Sequence, residues 1–300
     1  MTQSPFAAPA AHKTCPLPDG RKLGFAEGGD PAGVPVFYFH GFPGSRLEAT
    51  LLPPSGIRII GVDRPGYGLS TASPWRKLAD WPKDIEVLAD FLGLKRFGVI
   101  GVSGGAPYAS SVAHGLGARV NALALICGLG PPEVPGMMFG GQRGLARALR
   151  FTPARLTLAA LARQIMLSDR ALGQMRAMRM RGNRRPAADM KLREGPMMGL
   201  MVQNWREGLK RSSLGVAADA RIYGEKWHFE PSAIKVPTGI WHGRADEVVP
   251  VNIGEFYASQ IAGAVSYFPA DDGHFSVVVN SYKAITDFLI AKAKRKTHAS

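Results

Sequence analysis

The feature that most constrains this chain is a series of short, largely apolar segments set between helix-patterned stretches. Segments 36–40, 58–62, 97–102 and 122–127 are of this kind, with helical patterns at 79–92 and 106–114 between the later ones. In the first of these helices Ile85, Leu88, Phe91 and Leu92 recur at helical spacing. A strand that is apolar on both sides needs cover on both faces, which a parallel sheet wrapped by helices supplies. Upstream, segment 15–27 with Asp19-Gly20 at its bend reads as a β-hairpin leading into that sheet. The alternation resumes late in the chain, with strands at 236–241 and 264–268 and helices at 253–261 and 281–292. The predicted class is α/β, a mostly parallel sheet with helices on both faces. A basic, frayed tail is expected at 292–300.

Composition shifts at Gly128-Leu129-Gly130-Pro131-Pro132. From there to about residue 229 the chain is rich in Arg and Met, and ten of its eleven methionines lie between Met137 and Met201. Residues 1–130 and 232–300 are therefore expected to form one core domain, interrupted by a helical insertion at 131–231. The net charge of +14 is local. Residues 141–221 hold 17 Lys and Arg against 5 Asp and Glu, a surplus of 12. Its densest part, 176–185, interleaves arginine with methionine at helical spacing, which reads as an exposed face whose arginine stems cover apolar surface. Attraction of an anionic substrate or an anionic membrane surface is the alternative. Nucleic acid is not expected, because no binding motif and few aromatic residues accompany the charge.

The two cysteines, Cys15 and Cys127, are far apart and follow no metal-binding or disulfide spacing. Cys127 ends an apolar run and reads as a small buried hydrophobe. Residues 1–11 lack the basic and apolar regions of a signal peptide, and no apolar run reaches membrane-spanning length. The expectation is a cytoplasmic protein.

Chemistry concentrates where strands end. Gly101-Val102-Ser103-Gly104-Gly105 follows the apolar run 97–102 and leads into the small-residue helix 106–113. With 36 glycines in 300 residues the bare Gly-x-Ser-x-Gly pattern is weak, and this strand-to-helix context is what makes it informative. Glycine on both sides allows a sharp turn that lifts Ser103 above the sheet as a nucleophile and sets the Gly104 N–H near a helix N-terminus. His40-Gly41-Phe42-Pro43-Gly44 follows another strand and could offer the Phe42 N–H as a second oxyanion donor, with His40 orienting the loop. Asp246 and His274 each follow a later strand, so parallel strands would carry Ser103, Asp246 and His274 to one sheet edge. Their order, Ser, Asp, His, fits acyl-transfer chemistry with His274 as general base and Asp246 orienting it.

The other candidates have plainer readings. His114 is expected on a helix surface, His242 on a backbone group at a strand end, and Asp63 with Arg64 as a structural turn pair. His12, His228 and His298 lie in poorly patterned stretches. Asp271 and Asp272 lie too near His274 in sequence to face its ring. No pair of histidines has His-x-x-x-His spacing and no Gly-x-Gly-x-x-Gly follows a strand, so neither a metal nor a dinucleotide is expected.

On His40 to Gly44, Asp63-Arg64-Pro65-Gly66-Tyr67-Gly68, Gly101 to Gly105, Gly243 to Asp246 and Gly273-His274, the chain resembles the α/β-hydrolase superfamily, specifically its cap-bearing serine hydrolases. The resemblance covers roughly 15–130 and 232–290 and implies an oxyanion hole at Phe42 and Gly104, supported by His40, Gly41 and Gly101, and a helical lid at 131–231. It implies cleavage of a carboxylic ester, or a related acyl bond, of a small and largely apolar molecule, without a cofactor. A C–C hydrolase, lyase or cofactor-free peroxidase on the same residues, or a non-catalytic binding protein, is the alternative. Serine at 103 disfavours dehalogenase and epoxide hydrolase chemistry, which in that superfamily uses aspartate there. Gly104, where the proline aminopeptidases carry tryptophan, and the basic insertion disfavour peptidase activity.

Overall fold

Every residue of β5 (Phe97–Val102) and β6 (Val120–Ile126) is buried, as their largely apolar sequences require. The structure, a computed structural model, describes residues 12–53, 55–137, 152–170 and 186–297. Strands β1 (Lys13–Pro16), β2 (Lys22–Gly29), β3 (Val34–Phe39) and β4 (Ile57–Val62) precede α1 (Trp81–Phe91) and β5. Helix α2 (Ala106–Gly115) then leads to β6. Helices α3 (Thr152–Leu167), α4 (Ala187–Glu194), α5 (Pro196–Leu209) and α6 (Leu214–Tyr223) follow before the chain returns to the sheet as β7 (Thr238–Trp241). It closes with α7 (Asn252–Gln260), β8 (Val265–Tyr267), α8 (Ser276–Asn280) and α9 (Tyr282–Thr297).

The eight strands lie in the order β1-β2-β4-β3-β5-β6-β7-β8. β2 runs antiparallel to both β1 and β4, and β3 to β8 are mutually parallel with β4. The pleat sorts side chains by parity. Phe37, Phe39, Val99 and Leu125 pack against α1, α2 and α7 on one face. Val36, Tyr38, Ile100 and Ala124 pack against α9 on the other. Each buried side chain of this size contributes about 1.5–3 kcal/mol relative to exposure. With both faces covered and the strands parallel, the loops after β3, β5, β7 and β8 open on one edge of the sheet.

Two expectations shift in detail. β7 begins at Thr238 rather than 236, because Pro237 has no N–H for the ladder, although its carbonyl accepts from Leu123. The tail does not fray from 292: α9 continues to Thr297, since its Ala, Lys and Arg residues are good helix formers with no glycine or proline to stop them. The basic stretch 176–185 lies outside the described residues. Among those residues, no helix is long and apolar enough to cross a membrane, and both cysteines are buried and free.

Candidate active site

The turn after β5 is as tight as its glycines suggest. Ser103 sits at φ +51°, in the left-handed region that non-glycine residues rarely adopt. A Cβ at Gly101 would stand 2.6 Å from Ala109 Cβ, and one at Gly105 would overlap the carbonyl oxygen of Phe39. Strand and helix can approach this closely only with hydrogen in both places. The strained serine is held by its neighbours, its carbonyl accepting from Leu129 N at 3.0 Å.

The loops after β7 and β8 bring their side chains to the same point. His274 Nε2 lies 3.0 Å from Ser103 Oγ, and His274 Nδ1 lies 2.8 Å from Asp246 Oδ2. The other oxygen of Asp246 accepts the N–H groups of Val248 and Val249, both at 2.8 Å. A carboxylate can only accept, so the imidazole proton sits on Nδ1 and the Nε2 lone pair faces the serine hydroxyl. Burial opposes ionisation of Asp246, but hydrogen bonds from His242 and His274 outweigh it and hold the carboxyl well below its usual range. Burial likewise opposes the imidazolium of His274, yet Cys127 and Asp246 beside it raise the ring well above an ordinary histidine. His242 meets a backbone group as expected, at 2.8 Å from Val249 O. Asp272 turns away to accept from Asn280 at 2.6 Å.

Phe42 and Gly104 are neighbours across the turn. A Cβ on Gly104 would lie 2.7 Å from Phe42 Cβ and 2.6 Å from the Tyr223 hydroxyl. Each N–H belongs to a peptide unit whose carbonyl is pinned on the opposite side. Gly41 O, in the plane of the Phe42 N–H, accepts from His40 Nδ1 at 2.8 Å and Arg64 at 3.0 Å. Ser103 O, in the plane of the Gly104 N–H, accepts from Leu129. A planar trans peptide held by its carbonyl directs its N–H the other way. His40 is fully buried, and desolvation, with Arg64 nearby, depresses its basicity well below the usual value, so it acts as a neutral linker.

Several residues here had only weak signals in the sequence. Cys127 is more than a packing residue: its sulfur, a carboxylate oxygen of Asp246 and a ring nitrogen of His274 all lie within 4.8 Å of one another. Burial pushes its thiol up. Glu48 is buried under the loop, accepting from Gly41 N, Tyr38 Oη and Asn204 Nδ2, each at 3.0 Å. Asp63 and Arg64 do not pair with each other. Asp63 binds Arg46 at 2.9 Å, and Arg64 binds Asp219 of α6 at 2.8 Å. Tyr223, also on α6, donates to Gly104 O at 2.8 Å. His114 is an exposed helix residue, stacked on Phe229.

The protein family described as alpha/beta hydrolase fold matches residues 34–281. The chain belongs to this family. Among curated relatives of this alpha/beta hydrolase, a non-heme haloperoxidase from Rhodococcus erythropolis is 29% identical over 241 residues, covering 78% of this chain and 81% of the relative. A proline iminopeptidase from Xylella fastidiosa is 33% identical over a shorter match of 121 residues, 38% of each chain. Among solved structures, an esterase from Exiguobacterium antarcticum aligns with a TM-score of 0.66 at 23% identity, over 94% of this chain and 99% of that one. That likeness speaks to the fold.

The hydrolase carries a cavity of about 580 Å³ that opens onto Ser103 and His274. Its far wall comes from α3 to α5, with Met166, Met197, Met198, Met201 and Trp205 among the lining residues. Its near wall includes Phe42, Val102 and Val278. The lining is mostly apolar, with Glu48, Arg193 and Glu247 as its acidic and basic side chains beside His274.

Proposed function

We propose that this chain is a serine hydrolase that cleaves a carboxylic ester, or a related acyl bond, of a small and largely apolar molecule through an acyl-enzyme. The observation that carries the reading is the continuous hydrogen-bonded chain from Ser103 Oγ through His274 to Asp246. In it, His274 takes the Ser103 proton as Oγ attacks the carbonyl carbon, and the N–H groups of Phe42 and Gly104 receive the negative charge on the carbonyl oxygen. His274 then protonates the departing alcohol. Water, activated by the same ring, attacks the acyl-enzyme and restores Ser103. Asp246 holds the tautomer and balances the imidazolium as it forms. Removal of one oxyanion donor costs roughly 3 kcal/mol in such a barrier, so the loop at 41–42 matters nearly as much as the three side chains.

Residues 131–231 act in this reading as a cap whose methionines adapt to the shape of the acyl or alcohol group. The similarity to a non-heme haloperoxidase favours a second reading, cofactor-free peroxidase chemistry on the same side chains. Fluorophosphonate labelling tests the mechanism. The wild-type protein should be labelled covalently and Ser103→Ala should not; folded wild-type protein that resists labelling would overturn the assignment. A panel of short and long p-nitrophenyl esters tests the cavity, with a strict preference for acetate counting against the apolar substrate. Halide oxidation by peroxide, absent in Ser103→Ala, would favour the second reading.

A further inference from the structure

The loop that carries His274 is gripped from the insertion side as well as from the sheet. Asp189, in the first turn of α4, is buried. Its Oδ1 accepts the Ser276 N–H at 2.8 Å and the Ser276 hydroxyl at 2.7 Å. The Phe275 N–H lies 3.2 and 3.3 Å from its two oxygens. Ser276 Oγ in turn accepts the Gly273 N–H at 2.8 Å. The residues on both sides of His274 are therefore tied, directly or through one hydroxyl, to a single carboxylate. α8 has no side-chain cap of its own at Phe275, and Asp189 satisfies its first amides from another element.

Gly273 is matched to this contact. A Cβ there would stand 2.6 Å from Asp189 Cγ and Oδ2, and 2.8 Å from Pro186 Cγ. A side chain at 273 would have to displace the Asp189 carboxylate and the Pro186 ring. Two separate grips thus act on one histidine: Asp246 on the ring, Asp189 on the backbone.

We propose that Asp189 is a positioning residue for His274, through which the seating of α4 on the core sets the imidazole against Ser103. This rests on the acyl-transfer reading of Ser103 and His274. Asp189 touches no reacting atom. It acts by confining the backbone from which the ring projects, and a catalytic group displaced by about 1 Å loses about a hundredfold in rate. If α4 lifts, the backbone grip is lost while the bond from His274 to Asp246 can persist, so reactivity follows the seating of the insertion.

The test uses the full chain with Asp189→Ala, Asp189→Asn and Ser276→Ala. Two quantities are read: the rate of Ser103 labelling by a fluorophosphonate, with kcat and KM for a p-nitrophenyl ester, and the NMR resonance of the His274 Nδ1 proton. Asp189→Ala should lower the labelling rate and kcat about 10- to 100-fold, change KM little, and broaden that resonance. Asp189→Asn keeps an acceptor for the Ser276 groups and should recover most of the rate. A folded Asp189→Ala that labels within about twofold of wild type, with the resonance intact, overturns the proposal. If Asp189→Ala does not fold, Ser276→Ala decides: it removes the hydroxyl that donates to Asp189 and accepts from Gly273, leaving the two amide contacts in place, and a several-fold loss supports the role while the parental rate refutes it. Wild-type protein that is never labelled, yet whose resonance depends on Asp189, would sink the acyl-transfer reading and leave the positioning role standing.

Discussion

The sheet and the helices between β6 and β7 are held by different forces. Strands β3 to β7 are fixed by apolar side chains sorted onto two faces, each face closed by its own helices. Helices α3, α5 and α6 share a much smaller apolar cluster with the core, centred on Tyr67, Ala159, Leu209, Val216 and Ala217, and α6 adds Ile222 and Tyr223 to the main core. Their seat is polar. Asp219 is fully buried and accepts from Arg64, Arg76, Tyr67 and Tyr108. Asn204 accepts the Ser45 hydroxyl at 2.7 Å and donates to Glu48, and Glu207 meets Arg46 at 2.9 Å. Apolar contact is non-directional and tolerates sliding. A buried carboxylate matched to four donors does not, so polar seating gives these helices one position over the site. The sheet is built to be stable; the helices between β6 and β7 are built to be placed.

The contrast can be broken or sharpened by three measurements. Asp219→Ala should cost most, about 3–5 kcal/mol in urea denaturation, because Arg64 and Arg76 would be left buried without a counter-charge. Burial works against the charge of Asp219, yet Arg64 and Arg76 hold its carboxyl below the usual range. Its contribution is therefore present above the unfolded carboxylate range, near pH 4, and lost as the pH falls. A loss below about 1 kcal/mol would mean that the polar seat is dispensable. Ile100→Val in β5 should cost about 0.5–1.5 kcal/mol and leave the ester rate unchanged, as expected of a side chain that only fills space. The gentlest effect is on the pH profile. In the proposed reaction His274 must be neutral to accept a proton, and its neighbours raise it above the ordinary 6.5, so activity should climb with pH through a midpoint above that value. An acid limb at or below 6.5 would show that the ring is not held as described.

What could be read from the sequence was what local pattern encodes. The hairpin around Asp19-Gly20, the buried strands and the strained turn at Ser103 each depend on neighbours within a few residues. The partners Asp246 and His274 were reachable because parallel strands deliver their following loops to one edge. The polar seat was not readable, since its contacts span great sequence distances: Arg64 meets Asp219 155 residues away, and Ser45 meets Asn204 across 159. No periodicity marks such pairs. Asp63 and Arg64 are structural, as their place in the turn suggests, but their partners Arg46 and Asp219 could not be read from adjacency. One hint was available. In a stretch holding only five acids, three of them, Asp189, Glu207 and Asp219, face the core.

The sheet's two borders differ in a way that bears on how the protein behaves in company. On the β1 side the border is a hairpin of antiparallel strands. On the other it is β8, three residues long, with Val265 and Tyr267 more than half exposed. A longer strand there would present a row of unsatisfied amides as a template for another copy. At three residues, β8 offers too short a ladder for such pairing to be stable, and its brevity serves as the molecule's guard against edge-to-edge aggregation.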